Sequence, residues 1–235
     1  LSNPYSKKDL DNFDRRIKKN LNNEEAIYIC ELKYDGVAIS LIYKNGYLDK
    51  AVTRVNGVFG DDVTENVKTI KSIPLKLFGN PPKILEARGE IFIDKNQFEK
   101  INLVRQVKKK DLELVYQKAK ANKNLSIDDL NKIEKKFIAE SKKLELYSNP
   151  RNLASGTLKL LDSVKVAQRK LNCFIYSLSS IDMPFDNHFQ NLLEGKKWGF
   201  KISHNIKLVQ NVNEIIEFVN RFENQRNLLP FEIDG

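Results

Sequence analysis

The amino-acid sequence predicts an α+β fold in which strand-rich and helical stretches are segregated along the chain. Three observations carry this reading. From Ile27 to Ile93, β-prone runs are punctuated by turn signals at Asp35-Gly36, Asn45-Gly46, Asn56-Gly57 and Gly79-Asn80-Pro81-Pro82. Residues 105–147 contain neither Gly nor Pro and repeat apolar side chains at helical spacing. Residues 148–235 return to mixed strand-like and helix-like character.

Taken in order, residues 7–20 place Leu10, Phe13 and Ile17 at helical spacing in a polar background, a short amphipathic helix. Strands follow from Ile27, with Asn45-Gly46 as the strongest short hairpin signal. The stretch 105–147 reads as two antiparallel helices, about 107–121 and 127–146, joined near 122–125. Ser126 with Asp129 forms an N-cap pattern for the second helix. Leu130, Ile133, Phe137 and Leu144 mark its inward face. This stretch holds 12 Lys+Arg against 7 Asp+Glu, more than half of the chain's excess positive charge. Beyond a loop at Asn149-Pro150 come a strand near 172–178, helices near 188–197 and 213–223, and a last strand toward Ile233. There are no internal repeats.

A chain of 235 residues fits one large domain, or one domain with an appendage. The net charge of +9 points to an anionic partner, nucleic acid first, or to a merely soluble lysine-rich protein. No apolar run is long enough to span a membrane, and Leu1-Ser2-Asn3-Pro4 is no signal peptide, so the expected location is cytoplasmic. Two cysteines, Cys30 and Cys173, exclude a disulfide framework and a four-cysteine zinc site. The two histidines, His188 and His204, lack metal-ligand spacing. Gly195-Lys196-Lys197 lacks the other residues of a P-loop. Chemistry is left to Lys, Arg, Asp and Glu.

Along Ile27–Asp35, side-chain alternation puts Glu31, Lys33 and Asp35 on one face and Cys30, Leu32 and Tyr34 on the other. Such a face is either a solvated strand surface with local ion pairs or a site. A two-residue turn at 45–46 pairs Lys44 with Tyr47 and, by the same count, Val37 with Arg54. That delivers Arg54 beside Gly36, and arginine suits phosphate or ribose oxygens. Along 84–93, Leu85, Ala87, Gly89, Ile91 and Ile93 share an apolar face. Glu86, Arg88 and Glu90 point the other way, as a lined cleft or as a surface strand with a cross-paired arginine. A lysine nucleophile needs help, since at a free pKa of about 10.4 only roughly one amine in a thousand is neutral near neutral pH. Glu31 and Asp35 would raise that pKa, so they make better ribose, base or metal contacts than activators.

Lys33-Tyr34-Asp35-Gly36 matches the K-x-D-G motif of DNA ligases, RNA ligases and mRNA capping enzymes. The surrounding landmarks are more specific. Glu31-Leu32-Lys33-Tyr34-Asp35-Gly36, Thr53-Arg54-Val55-Asn56-Gly57 with Gly60-Asp61-Asp62-Val63-Thr64-Glu65-Asn66-Val67, Arg88-Gly89-Glu90-Ile91-Phe92, Asn149-Pro150-Arg151-Asn152 with Ala154-Ser155-Gly156, Lys197-Trp198-Gly199-Phe200 and Ile233-Asp234-Gly235 resemble the NAD-dependent bacterial DNA ligases, in family order over nearly the whole chain.

The resemblance implies a nucleotidyltransferase fold, with two mostly antiparallel sheets flanked by helices around a nucleotide cleft. It implies that residues 1–235 form an adenylation domain truncated at its C-terminal end, with 105–147 an inserted basic helical hairpin. Lys33 would attack the adenylyl phosphate of NAD, release nicotinamide mononucleotide and pass AMP to the 5′-phosphate of nicked duplex DNA. Glu31 would contact adenine, Arg54 and Glu90 the ribose, and Tyr176 would stack on the base. Asp35 with Gly36, and Asp234, would lie near the phosphate and a Mg2+ or Mn2+ ion. Leu1 would touch the nucleotide, and Arg151 and Lys159 would face DNA. Zinc would belong only to parts of the family's architecture outside this chain, as would a lysine four residues past Gly235 and the domain that recognises nicotinamide mononucleotide. A monomer with no membrane partner is expected, unable to seal a nick alone. Val55-Asn56 and Lys159 depart from the family's usual residues. The alternatives are an ATP-dependent ligase or capping-type nucleotidyltransferase, and a non-catalytic DNA-binding module.

Overall fold

The computed structural model describes residues 6–22, 24–53, 60–122 and 125–235. Leu1, Arg54 and the Val55-Asn56-Gly57 turn lie outside them. Helix α1 (Lys7–Asn20) opens with a capping box in which the Ser6 hydroxyl accepts from Asp9 N–H and the Asp9 carboxylate accepts from Ser6 N–H. Strand β1 (Tyr28–Glu31) follows, then β2 (Val37–Lys44) and β3 (Tyr47–Thr53), helix α2 (Thr64–Val67) and strand β4 (Ile84–Phe92). Two long helices, α3 (Lys95–Ala121) and α4 (Ile127–Lys143), lead to α5 (Pro150–Leu158) and α6 (Ser163–Arg169). The chain then runs through β5 (Asn172–Ser179), α7 (His188–Lys197), β6 (Ile206–Val209) and α8 (Val212–Gln225).

The strands form two antiparallel sheets, β1-β6 and β3-β2-β4-β5. Asn45 and Gly46 turn the β2-β3 hairpin with φ of 50° and 78°, the left-handed conformations their types tolerate. Lys44 faces Tyr47 as the turn requires, but a bulge beyond Tyr43↔Leu48 puts Ile42 opposite Lys50 and Ile39 opposite Thr53. The extra residue shifts the pairing by one as far as Thr53, the last described residue of β3, and Arg54 itself lies outside the described residues.

The four-stranded sheet separates two environments. On one face Leu85, Ala87 and Ile91 of β4 join Tyr43, Leu153, Leu158, Leu192 and Trp198 in the main core. The absence of a side chain at Gly89 is enforced there, since a Cβ would stand 2.6 Å from the Phe174 carbonyl oxygen. On the other face Phe92 and Phe174 stack at 5.1 Å, with Tyr34 4.8 Å from Phe174 and Phe231 5.4 Å from Phe92. Leu32, Phe218, Phe222 and Ile233 complete this second core.

Helix α3 is one unbroken element of 27 residues, where the sequence pattern suggests a separate helix from about residue 107. Nothing between Lys95 and Ala121 breaks it, because that stretch has no Gly or Pro. Helix α4 starts on the expected Ser126 cap, whose hydroxyl accepts from Asp129 N–H, but ends at Lys143, three residues early. Tyr116 stacks on Phe137 at 4.3 Å between the two helices. Neither helix has a fully buried residue, and only the first turns of α3 touch the main core, through the half-buried Phe98 and Ile101. The base of the pair is tied down. Asn102 and Tyr147 exchange two hydrogen bonds of 3.0 Å, and Arg105 donates to the carbonyls of Lys143 and Glu145. The expected last strand is reduced to a single antiparallel bridge, Tyr34↔Ile233.

The second core gives a direct test. Phe92→Ala should cost about 3–5 kcal/mol, the usual penalty for emptying a buried phenylalanine site. Urea unfolding of the variant beside the parent measures it, and a destabilisation under about 1 kcal/mol would remove the cluster from its structural role.

Candidate active site

The side chains of residues 31–35 continue the alternation of β1 past its last pair. Leu32 and Tyr34 are buried in the second core, while Glu31 and Lys33 face out. The backbone is held by the closing segment of the chain. Lys33 N–H donates to Gly235 O at 2.7 Å, Asp234 N–H to Lys33 O at 2.7 Å, and Asp35 N–H to Glu232 O at 3.0 Å. Gly36 then passes directly over β4, where a Cβ would stand 2.3 Å from the Ile91 carbonyl oxygen and 3.0 Å from Glu90 Cγ. The glycine of the motif is therefore required by close approach of two backbones.

A cleft of about 460 Å3 opens over this segment, lined by Glu31, Leu32, Lys33, Tyr34, Glu90, Arg151 and Tyr176. Lys33 Nζ lies 2.8 Å from Asp234 Oδ2, and the lysine side chain remains 70% exposed to the cleft. Arg151, from the first turn of α5, reaches Asp35 Oδ1 at 3.1 Å. Two ion pairs thus tie the motif to distant parts of the chain. Glu86 and Arg88, expected on the face of Glu90, pair with each other at 2.9 Å farther along β4, and Ser40 Oγ donates to Glu86.

The remaining candidates are placed as follows. Glu31, Lys33, Glu90, Tyr176 and Arg151 meet in the one cleft, with Asp35, Gly36 and Asp234 bonded to or packed against them. Lys159 does not line it and pairs with Asp61 at 3.1 Å. Leu1 and Arg54 lie outside the described residues. His188, which lacks metal-ligand spacing in the sequence, stands 3.8 Å from Glu31 at the first turn of α7. The two positions are far apart in the chain, and no motif signals their approach. Among the described residues no three His, Cys, Asp or Glu side chains form a cluster able to hold a metal by themselves.

Burial pushes the Glu90 carboxyl up to about 7, against the lowering pull of Arg151, of the Gly36 N–H that donates to it, and of Lys33. The native protein therefore keeps a proton that the unfolded chain releases near 4.5. The stability this confers is complete below about pH 4.5 and is lost as the pH rises through about 7. Relative to Glu90→Gln, the parent should lose stability between those values and run parallel above them. Denaturation at several pH values measures this, and parallel curves throughout would show that Glu90 is not held in a desolvated site.

Comparison with known proteins accords with this geometry. The family described as the NAD-dependent DNA ligase adenylation domain matches residues 1–122 and 120–235. The chain is similar to the DNA ligase of Flavobacterium psychrophilum at 44% identity, to that of Flavobacterium johnsoniae at 42%, and to that of Cytophaga hutchinsonii at 41%. Each match covers 100% of this chain and 30% of the relative. The chain thus spans about 30% of the length of these curated relatives. With matched segments that together take in all 235 residues, and K-x-D-G set at the cleft, the chain belongs to the NAD-dependent DNA ligase adenylation domain family.

Proposed function

We propose that this chain accepts AMP from NAD on Lys33 and hands it to the 5′-phosphate of nicked duplex DNA. The observation that carries the reading is the placement of the Lys33 amine at the cleft, 2.8 Å from Asp234, with Glu31, Glu90 and Tyr176 along the same walls. Before attack, Nζ gives up a proton, and Asp234 Oδ2 is positioned to take it. The nitrogen lone pair then forms a bond to the adenylyl phosphorus, while the bond from phosphorus to the nicotinamide mononucleotide phosphate oxygen breaks and its electrons leave with that group. In the next step a DNA 5′-phosphate oxygen displaces Lys33 from the phosphorus, and the 3′-hydroxyl finally displaces AMP.

Each wall has a role in this reading. Tyr176 stacks on adenine and Glu31 accepts from its amino group, steadied by His188. Glu90, with a pKa of about 7, can accept from or donate to the ribose hydroxyls near neutral pH. Arg54 joins it at the ribose, and Leu1 touches the nucleotide. Arg151 and Lys159 face the DNA. A Mg2+ or Mn2+ ion would be held mainly by substrate phosphates and water, with Asp35 or Asp234 as the protein's share, and would neutralise charge developing at phosphorus. The site residues fit such a substrate-borne ion, since Mg2+ asks for one or two carboxylates rather than a closed cage. Residues 105–147 are an insertion in the adenylation domain. Acting as a monomer in the cytoplasm, the enzyme would serve DNA replication and repair. No helix among the described residues is long and apolar enough to cross a membrane.

The test uses labelled NAD, with ATP as the comparison, on the natural polypeptide containing these residues. The parent should form a covalent AMP adduct from NAD with release of nicotinamide mononucleotide. Lys33→Arg keeps the charge and should abolish the adduct, and Asp234→Asn should slow it about 100-fold. An undiminished adduct in Lys33→Arg by mass spectrometry would overturn the assignment.

A further inference from the structure

We infer that the outward face of α4 docks the phosphate backbone of duplex DNA beside the cleft. The inference rests on the reading that the chain acts on nicked DNA. Packing against α3 fixes which way α4 faces. Phe137 stacks on Tyr116, the Tyr116 hydroxyl donates to Glu134, and Leu130, Ile133 and Leu144 are half-buried. At 100° per residue, the opposite side of α4 carries Lys132, Lys135, Lys136, Lys142 and Lys143, all exposed. Glu134 and Glu140 lie toward the α3 side, while in the first turn Asp128 shares the lysine face and Asp129 borders it.

This segregation is the informative feature. Solvated helices intersperse charges so that i,i+3 and i,i+4 neighbours attract. Here Lys132 faces Lys135 and Lys136 at those spacings, and like charges there destabilise a helix. Among the described residues, the side chains of Lys135, Lys136, Lys142 and Lys143 make no ion pair, and Lys132 has only a 3.9 Å contact with Asp129. Asp129 offsets the charge of Lys132 in part, and the four lysines beyond it carry most of the unbalanced charge. An external polyanion would relieve the repulsion.

Length and position fit a duplex. The eleven steps from Lys132 to Lys143 rise about 17 Å along the helix, the rise of about five base pairs. The lysine-rich end of α4 is the anchored one, because Arg105 holds the Lys143 and Glu145 carbonyls and also lies 4.5 Å over the Tyr147 ring. The Tyr147 ring lies 5.4 Å from the Arg169 guanidinium as well. Lys143 and Arg151 of the cleft are eight positions apart in the chain, which bounds their separation at about 28 Å. A duplex with its nick at Lys33 needs only about eight further base pairs to cover that distance.

The experiment measures binding of the natural polypeptide to a nicked duplex by fluorescence anisotropy across a salt series. The parent is compared with a variant carrying Lys132→Gln, Lys135→Gln, Lys136→Gln, Lys142→Gln and Lys143→Gln. Circular dichroism verifies the helices, and adduct formation from NAD is followed in parallel. Every lysine–phosphate pairing that the substitutions abolish should flatten the log–log salt slope by about 0.9. Abolishing three or more should flatten it by roughly 3 and weaken binding at least tenfold near 0.1 M salt. Unchanged adduct formation with a flatter slope supports the inference. An unchanged slope overturns it, even where the adduct forms normally. A flatter slope with no adduct from NAD in the parent keeps this surface and removes the reaction proposed for Lys33. No binding of nicked duplex by the parent removes both. Lys108→Gln with Lys118→Gln on α3 serves as the control, and an equal flattening there would overturn the assignment to this face.

Discussion

The aim of the Lys33 side chain depends on the burial of Tyr34. That ring lies between Phe174 and Phe231, 4.8 Å and 5.2 Å away, and Leu32 enters the same apolar cluster. With residues 32 and 34 committed inward, the strand-like alternation leaves residues 31 and 33 no direction but outward. The cluster holds rings from β4, from β5 and from the closing segment, so it also locks the backbone of Lys33 to the sheet that carries Glu90 and Tyr176. An amine poised for attack has to be held within a fraction of an ångström, and a loop with free dihedral angles cannot do that. Aromatic packing beneath the loop supplies the stiffness that hydrogen bonding of a regular strand supplies elsewhere.

Over this apolar floor sits a layer of charge drawn from distant parts of the chain. Lys33 pairs with Asp234, and Asp35 pairs with Arg151. Both pairs are partly exposed, so neither contributes much to stability. Their value is positional: each side chain is held by a partner on another element. Glu90 shows the opposite balance. Burial dominates its surroundings strongly enough to lift its pKa to about 7 although two cations and a backbone N–H oppose this. The cleft therefore pairs an exposed, charged rim with a desolvated wall, and a nucleotide presents matching ends, an anionic phosphate and a neutral ribose with its base.

How much of this is legible in the sequence follows from the range of each interaction. Alternation is local, and it places Glu31, Lys33, Leu32, Tyr34 and the faces of β4 correctly. Asn45-Gly46 specifies its turn, but the bulge one pair further on has no signature in residue type, so a simple count from the turn is wrong by one beyond Ile42. The continuity of α3 is legible in the absence of Gly and Pro from residue 95 onward, and a start near 107 comes from reading 105–147 as a separate stretch. Arg151 against Asp35 and His188 against Glu31 join positions distant in the chain. No spacing rule reaches that far. Only the family resemblance brings Arg151 into view, and nothing brings His188.

The helical pair α3–α4 follows a different logic from the rest of the chain. Without a fully buried residue, it draws on the main core only at the start of α3, through Phe98 and Ile101. It relies on one stacked aromatic pair, a capped start, and an arginine that satisfies the carbonyls at the end of α4, where helix C-termini leave acceptors open. The strongest of these attachments lie at its base, beside α5, and they fix its direction relative to the cleft. A solvated appendage needs no such direction, since any orientation would keep it soluble. A base made rigid by Asn102, Arg105 and Tyr147 also lets the far surface meet a partner at a set distance from the cleft. The unbalanced lysines of α4 supply the chemistry of that surface, and the anchored base supplies its place.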